Sequence, residues 1–219
     1  MGQTMRLDNE RGNTISGWLC EAEGEPRGSV VIAQEIFGVN AHIRAVTERF
    51  ARAGYTALAP AFFDHVEAGV ELDYDESGFA RGRELALKLD VDEVVADVRA
   101  AARAVASAGK TAVVGYCWGG TTAMVSGLRL DIPAVSYYGS RNVNYLDEPA
   151  TAPLQFHFGE RDKSIPAAVI ERHRQAYPDA EIYTYPAGHG FNCDLREGYD
   201  AESASLAWHR TLDFLLRHL

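Results

Sequence analysis

The amino-acid sequence predicts an α/β fold in which one doubly wound, mostly parallel sheet carries helices on both faces. Short apolar runs bounded by turn residues recur along the chain, which is typical of strands buried in a parallel sheet. Segments with apolar residues at helical spacing alternate with these runs. No internal repeat, low-complexity tract or linker interrupts the alternation, so we expect residues 1–219 to form a single domain.

The composition argues against several classes of function. Of the 219 residues, 47% are hydrophobic, which is enough for one substantial core. The net charge of -10 disfavours a nucleic-acid or anionic-membrane partner. The three cysteines, at irregular spacing, suggest neither a disulfide framework nor a zinc site. Residues 1–13 are polar and no run of about 20 apolar residues exists, which predicts a soluble protein of the cytoplasm.

In the first half of the chain, turn residues separate three predicted strands, at 14–20 (an edge strand), 29–34 and 55–60. Asn40 can cap a helix that Gly54 ends, because apolar residues recur between them at helical spacing. Residues 62–77 are acidic and without a clear period, as in loops that are functional or mobile. After this loop we predict a short helix at 78–89 and a longer one at 91–108.

The second half continues the alternation of strands and helices. Its predicted strands are 111–115, 132–137, 153–158 and 181–185. Its predicted helices are 121–130, 166–176 and 202–219. Between the last strand and the last helix lies a glycine-rich loop at 187–198.

The strand at 111–115 leads into a Gly-x-Cys-x-Gly turn at 115–119. A sharp turn between a strand and a helix is the setting of a nucleophile elbow, in which the nucleophile has a strained backbone. Gly115 and Gly119 would let the strand and the helix pass close to it. Cys117 is therefore a candidate nucleophile, although by itself a buried cysteine is more often a small hydrophobic residue.

Polar residues follow three other predicted strands directly: Glu35, Asp162 and His189. Because active residues of such sheets gather past the carboxyl ends of the strands, these three and Cys117 should share one rim. The order Cys…Asp…His is that of the α/β-hydrolase triad, so we predict this fold. Singly, Asp162 could be a turn residue and His189 a loop histidine, whereas a carboxylate directly after a buried strand is costly unless it is paired.

Each of these positions would have a distinct role in acyl transfer. A free thiol is mostly protonated at neutral pH and needs a base, which His189 would supply to Cys117. Asp162 would hold His189 in one tautomer. The backbone N–H of Trp118 and that of Ile36 would stabilise the oxyanion.

The sequence at these residues resembles the dienelactone hydrolase (carboxymethylenebutenolidase) family. The segments that carry the resemblance are 31–40, 115–120, 137–139, 187–191 and 210–214. The likeness runs from about residue 14 to the end of the chain. It implies a monomeric α/β-hydrolase without cofactor or metal that opens an unsaturated lactone in the degradation of aromatic compounds. It also implies that Glu35 holds the resting Cys117 as a thiol until the substrate displaces the carboxylate.

The resemblance further implies that an arginine binds the substrate carboxylate. The family pattern Arg-x-Arg-Glu-x-Ala matches residues 81–86 and gives this role to Arg83, with Arg81 as the fallback. Tyr138 and Phe37, within the matching segments, would complete the substrate-binding residues. The plainer interpretation of Arg81 and Arg83 is a solvated helix face.

The sequence departs from the family where a second substrate-binding arginine is expected. Four residues after the histidine stands Cys193, and Arg196 follows nearby in a loop. Loss of half a carboxylate clamp leaves open that the protein is a general carboxylesterase or thioesterase for neutral substrates. A separate alternative is a non-catalytic binding or thiol-sensing protein on the same scaffold, with Cys117 as a reversible redox site.

Overall fold

The computed structural model describes residues 2–219 and contains a sheet of eight strands. Their bounds are β1 (Gln3–Asp8), β2 (Thr14–Cys20), β3 (Ser29–Ala33), β4 (Thr56–Pro60), β5 (Thr111–Tyr116), β6 (Ala134–Tyr137), β7 (Leu154–Gly159) and β8 (Glu181–Tyr185). The order across the sheet is β1-β2-β4-β3-β5-β6-β7-β8. β1 and β2 run antiparallel to their neighbours, and the remaining pairs are parallel. The predicted mostly parallel sheet is thus confirmed.

Six α-helices connect and cover the strands. They are α1 (Ala41–Arg52), α2 (Glu76–Lys88), α3 (Val91–Ala104), α4 (Trp118–Leu130), α5 (Ala167–Ala176) and α6 (Ala201–His218). On β6, Ala134 faces Gly127 of α4, whereas Tyr137 bonds Thr211 of α6. Side chains three residues apart on a strand point to opposite faces, so α4 and α6 cover opposite faces of the sheet. This confirms the doubly wound arrangement.

The first strand of the chain was not predicted, and the prediction that 14–20 is an edge strand is wrong. β2 has the predicted bounds but pairs with β1 on one side and β4 on the other. β1 is the edge, and in it Leu7 alone is buried. A strand with one buried side chain lacks the alternation of apolar and polar residues by which strands are found.

The remaining differences concern where elements begin and end. The predicted loop at 62–77 starts with a 3₁₀ helix, Phe62–His65, and ends where Asp75 accepts a hydrogen bond from Gly78 N to cap α2. α3 ends at Ala104, and a 3₁₀ turn, Ala106–Ala108, follows it. α4 begins at Trp118, three residues earlier than predicted. The predicted cap of α1 is confirmed, because Asn40 Oδ1 accepts a hydrogen bond of 3.2 Å from Ile43 N.

The parallel strands β3, β5, β6, β7 and β8 place their carboxyl ends along one edge of the sheet. Leu219 lies at the opposite edge, since a Cβ on Gly28, just before β3, would lie 3.1 Å from the Leu219 side chain. Each described helix is too short or too polar to cross a bilayer.

Candidate active site

Cys117 has the strained backbone that the Gly-x-Cys-x-Gly turn predicts. Its φ of 56° and ψ of -117° lie in a region that residues with a side chain rarely adopt. A Cβ on Gly119 would stand 2.2 Å from the Ala33 carbonyl oxygen, and one on Gly115 1.8 Å from the Gly119 carbonyl oxygen. Glycine at both positions therefore lets β3, β5 and α4 approach closely enough to hold Cys117 in this conformation.

Cys117, His189 and Asp162 lie in one chain of hydrogen bonds. His189 Nε2 is 3.1 Å from Cys117 Sγ, and His189 Nδ1 is 2.7 Å from Asp162 Oδ2. The other Asp162 oxygen accepts hydrogen bonds from the backbone N–H and the hydroxyl of Ser164, at 2.8 and 2.6 Å. With the carboxylate fixed on one ring nitrogen, the other is free to exchange a proton with the thiol.

The electrostatics of these hydrogen-bonded residues favour a protonated imidazole at His189. Burial alone would lower the pKa of His189, but the negative charge of Cys117 and the hydrogen bond and charge of Asp162 outweigh it and raise that pKa to about 10. Burial would raise the pKa of Asp162, but the hydrogen bond and charge of His189, helped by Ser164, lower it below its usual range. A protonated His189 is thus stable beside the Asp162 carboxylate.

Ile36 and Trp118, the two predicted oxyanion donors, lie beside Cys117 in the wall of one cavity. Trp118 is the first residue of α4, where backbone N–H groups lack partners within the helix. Within residues 2–219, neither the Ile36 N–H nor the Trp118 N–H has a hydrogen-bond acceptor. Both groups are therefore available to a negative oxygen next to the thiol.

Glu35 is fully buried, and its partners are two residues that the sequence did not assign. The Tyr74 hydroxyl donates a hydrogen bond of 2.8 Å to Glu35 Oε2. Arg196 Nη1 lies 3.5 Å from Glu35 Oε1, and its guanidinium sits over the rings of Phe37 and Tyr74 at 5.8 and 5.7 Å. The buried carboxylate is thereby paired, as a strand-end Glu requires. Among the described residues no hydrogen bond joins Glu35 to Cys117.

Cys193 lies in the same cluster and is neutral. It is fully buried, and burial together with the charge of Glu35 raises the pKa of its thiol to about 12. The cation next to Glu35 is thus provided by Arg196, three residues further along the loop. Tyr74 and Arg196 were missed because both belong to irregular segments, although a buried Glu was itself a signal that partners must exist.

The cavity above Cys117 has a volume of about 700 Å³, within the usual range for a small-molecule site. Its walls are formed by Ile36, Phe79, Arg83, Ala86, Cys117, Trp118, Ser140, Arg141, Arg161, Asp162, Lys163, Ser164 and His189. The structure therefore brings together the predicted Cys117, Asp162, His189, Ile36, Trp118 and Arg83.

Three residues predicted to bind substrate lie outside this wall. Arg81 points to the other side of α2, where it pairs with Glu67 and Glu84. Tyr138 is fully buried beneath the cavity, with its ring 5.1 Å from that of His189. Phe37 is also buried and packs on Tyr74, with ring centroids 4.4 Å apart. A residue spacing cannot tell which side chain of a turn or helix points at a cavity, and here Arg83 takes that position.

Comparisons with known proteins show which family this chain is similar to. A sequence model of the dienelactone hydrolase family matches residues 15–219. The chain is 35% identical to the carboxymethylenebutenolidase of Pseudomonas putida, over 93% of this chain and 92% of that protein. It is 28% identical to carboxymethylenebutenolidase 1 of Cupriavidus pinatubonensis, over 96% and 95%. The crystal structure of a candidate dienelactone hydrolase from Klebsiella pneumoniae superposes with a TM-score of 0.86 at 30% identity, covering 100% of this chain and 99% of that one.

Proposed function

This chain belongs to the dienelactone hydrolase family, and we propose that it hydrolyses an ester or lactone bond with Cys117 as nucleophile, His189 as base and Asp162 as orienting carboxylate. The observation that supports this proposal is the hydrogen-bonded chain from thiol to imidazole to carboxylate at the base of a cavity. The carboxymethylenebutenolidase relatives suggest an unsaturated lactone as the substrate.

In the proposed reaction the Cys117 thiolate attacks the carbonyl carbon, and the carbonyl oxygen becomes negatively charged. The N–H groups of Ile36 and Trp118 stabilise that oxygen. When the intermediate collapses, His189 gives its proton to the leaving oxygen, and a thioester remains on Cys117. Water then attacks the thioester with His189 as base, which releases the carboxylate and restores the thiol.

Glu35 modulates Cys117 in this proposal through its charge. A carboxylate near a thiolate disfavours the thiolate, and the Tyr74 hydroxyl and Arg196 reduce this effect by holding Glu35 and offsetting its charge. Tyr74→Phe should therefore slow alkylation of Cys117 by iodoacetamide at pH 7, while Tyr199→Phe, at an exposed tyrosine, should not. Equal alkylation rates in all three proteins would contradict this role.

Replacement of the nucleophile tests the function directly. We expect Cys117→Ala to lower kcat/KM for 4-nitrophenyl acetate and for dienelactone by about 10³-fold or more, because no covalent intermediate can form. Cys117→Ser should retain weak activity, since the base and the oxyanion donors remain. Equal rates for wild type and Cys117→Ala would refute the proposal.

Hydrolysis of neutral esters is the second candidate, and the neutral thiol of Cys193 where an arginine was expected favours it. Comparing the rates for a carboxylated lactone and for its methyl ester distinguishes an anionic substrate from a neutral one. A preference for the free acid that Arg83→Ala abolishes would support the anionic substrate, because Arg83 is the predicted anchor that lines the cavity. Equal rates for the acid and its methyl ester would support the neutral one.

A further inference from the structure

Four basic residues line the cavity above Cys117: Arg83, Arg141, Arg161 and Lys163. All four are exposed at its rim. In the part of the chain that the structure describes, none of the four lies within ion-pair distance of a carboxylate, although Arg161 donates a hydrogen bond to the Pro186 carbonyl oxygen. Most other lysines and arginines of this acidic protein do form ion pairs, as Arg81 does with Glu67 and Glu84.

The acidic residues of the protein avoid this cavity. Its net charge is -10, with 31 Asp and Glu residues, yet Asp162 is the one acidic residue among those that line the cavity. Asp162 is buried and already bonded to His189 and Ser164, so it cannot neutralise the rim. The rim therefore presents cations without an ion-pair partner to a ligand that enters the cavity.

The four cations lie on two sides of Cys117. Arg83 belongs to α2, which approaches the loop after β3 so closely that a Cβ on Gly82 would stand 1.8 Å from the Ile36 carbonyl oxygen. Arg141 follows β6, and Arg161 and Lys163 follow β7. Because β5, which carries Cys117, lies between β3 and β6 in the sheet, Arg83 is on one side of the thiol and the other three are on the opposite side.

We propose that the substrate of this enzyme is a dianionic ester or lactone, with one anionic group on each side of the carbonyl that Cys117 attacks. Arg83 binds one group, and Arg141, Arg161 and Lys163 bind the other. The inference rests on the proposed hydrolase function and narrows its substrate class. A single arginine matches a singly charged carboxylate, whereas three cations accommodate a carboxylate or a phosphoryl group.

A set of four matched esters tests the inference. They are 3-carboxy-4-nitrophenyl hydrogen adipate, with two carboxylates; 3-carboxy-4-nitrophenyl butyrate and 4-nitrophenyl hydrogen adipate, with one each; and 4-nitrophenyl butyrate, with none. After subtraction of the uncatalysed rate, we expect kcat/KM of the dianion to exceed that of either monoanion by about tenfold, since each desolvated charge pair is worth roughly 1.5 kcal/mol.

Variants assign the two anion sites. In the triple variant Arg141→Ala/Arg161→Ala/Lys163→Ala, kcat/KM of the dianion should no longer exceed that of one of the two monoanions. In Arg83→Ala, kcat/KM of the dianion should no longer exceed that of the other monoanion. Arg172→Ala removes an exposed, unpaired arginine of α5 and serves as the control, which should keep the wild-type ratios. Competitive inhibition by adipate and by 5-phosphonopentanoate then shows whether the second group is a carboxylate or a phosphoryl group.

The outcomes are distinguishable. If the wild type hydrolyses the four esters at similar kcat/KM and Cys117→Ala hydrolyses none, the dianion inference is overturned and the hydrolase function is supported. If wild type and Cys117→Ala do not differ for any ester, the hydrolase function fails and the inference fails with it. A dianion preference that the triple variant retains would also overturn the inference.

Discussion

His189 and Cys117 are electrostatically linked, because the charge of Cys117 raises the pKa of His189. The raised pKa of His189, about 10, depends first on the charge of Cys117 and then on Asp162. Removal of the thiol therefore changes the histidine as well as the nucleophile.

We expect the imidazole pKa of His189, followed by NMR, to be lower in Cys117→Ala than in the wild type. A histidine pKa raised above the roughly 6.5 of an unfolded chain means that the protonated form stabilises the fold. This contribution is complete below about pH 6.5 and is lost as pH rises through about 10 in the wild type. In Cys117→Ala the loss should begin at a lower pH, which urea denaturation across that range measures. An unchanged His189 titration would show that Cys117 is not charged beside it.

At the scale of single residues, what the sequence could predict depended on where a residue lies in the chain. Cys117, Asp162 and His189 follow strands directly, so the fold class alone placed them at one rim. Tyr74 and Arg196 lie in irregular segments and reach Glu35 only through tertiary packing. The sequence also could not tell which of Arg81 and Arg83 points toward the cavity, because this exposed part of the helix has no apolar pattern that would set its orientation.

At the scale of elements, α2 connects the cavity wall to the proposed oxyanion site. Gly82 allows this helix to rest on the carbonyl of Ile36, a residue that lines the cavity and whose own N–H has no acceptor among residues 2–219. Arg83 follows on the same helix. A displacement of α2 would thus move both Arg83, the proposed substrate-binding cation, and Ile36, a proposed oxyanion donor.

Gly82→Ala tests this coupling. Alanine is favoured over glycine in a helix by about 1 kcal/mol, so propensity alone predicts stabilisation. We expect instead a loss of roughly 1–3 kcal/mol in the free energy of unfolding and a fall in kcat/KM, because the added methyl group meets the Ile36 carbonyl. Gly188→Ala, where a Cβ meets nothing within 4 Å, is the control for stability in urea denaturation. A Gly82→Ala protein as stable and active as the wild type would contradict the coupling.

The elements themselves were predictable where apolar residues set a period. The stripe of α3 did so, and β3 was found from its continuous apolar run between turn residues; the positions of both were confirmed to within a few residues. β1 did not, since one buried leucine among polar residues gives no period. Its place is fixed by backbone pairing with β2, which no local pattern reveals.

At the scale of the whole molecule, a net charge of -10 surrounds a cavity whose rim is positive. Such a field repels anions at long range and attracts them close to the site. The fold class followed from the alternation of strands and helices, but this charge separation did not, because it depends on which basic residues remain unpaired in three dimensions.

The dependence of KM on ionic strength should show whether the cations of the rim attract the substrate. On raising NaCl from about 20 mM to about 0.5 M, over which the screening length falls from roughly 20 Å to a few Å, we expect KM for an anionic ester to rise severalfold. KM for 4-nitrophenyl butyrate should stay the same, because a neutral ester makes no charge pair. A steady-state KM that is independent of salt for both esters would mean that the rim cations do not contact the substrate.

The contact between Leu219 and Gly28 has a practical consequence for surface immobilisation. It places the last residue at the amino ends of the parallel strands, opposite the cavity. A tether attached after Leu219 would orient every molecule on a solid support with its cavity toward the solution. Attachment through lysine side chains would not give one orientation. The chain has three lysines, and one of them, Lys163, lies on the rim of the cavity.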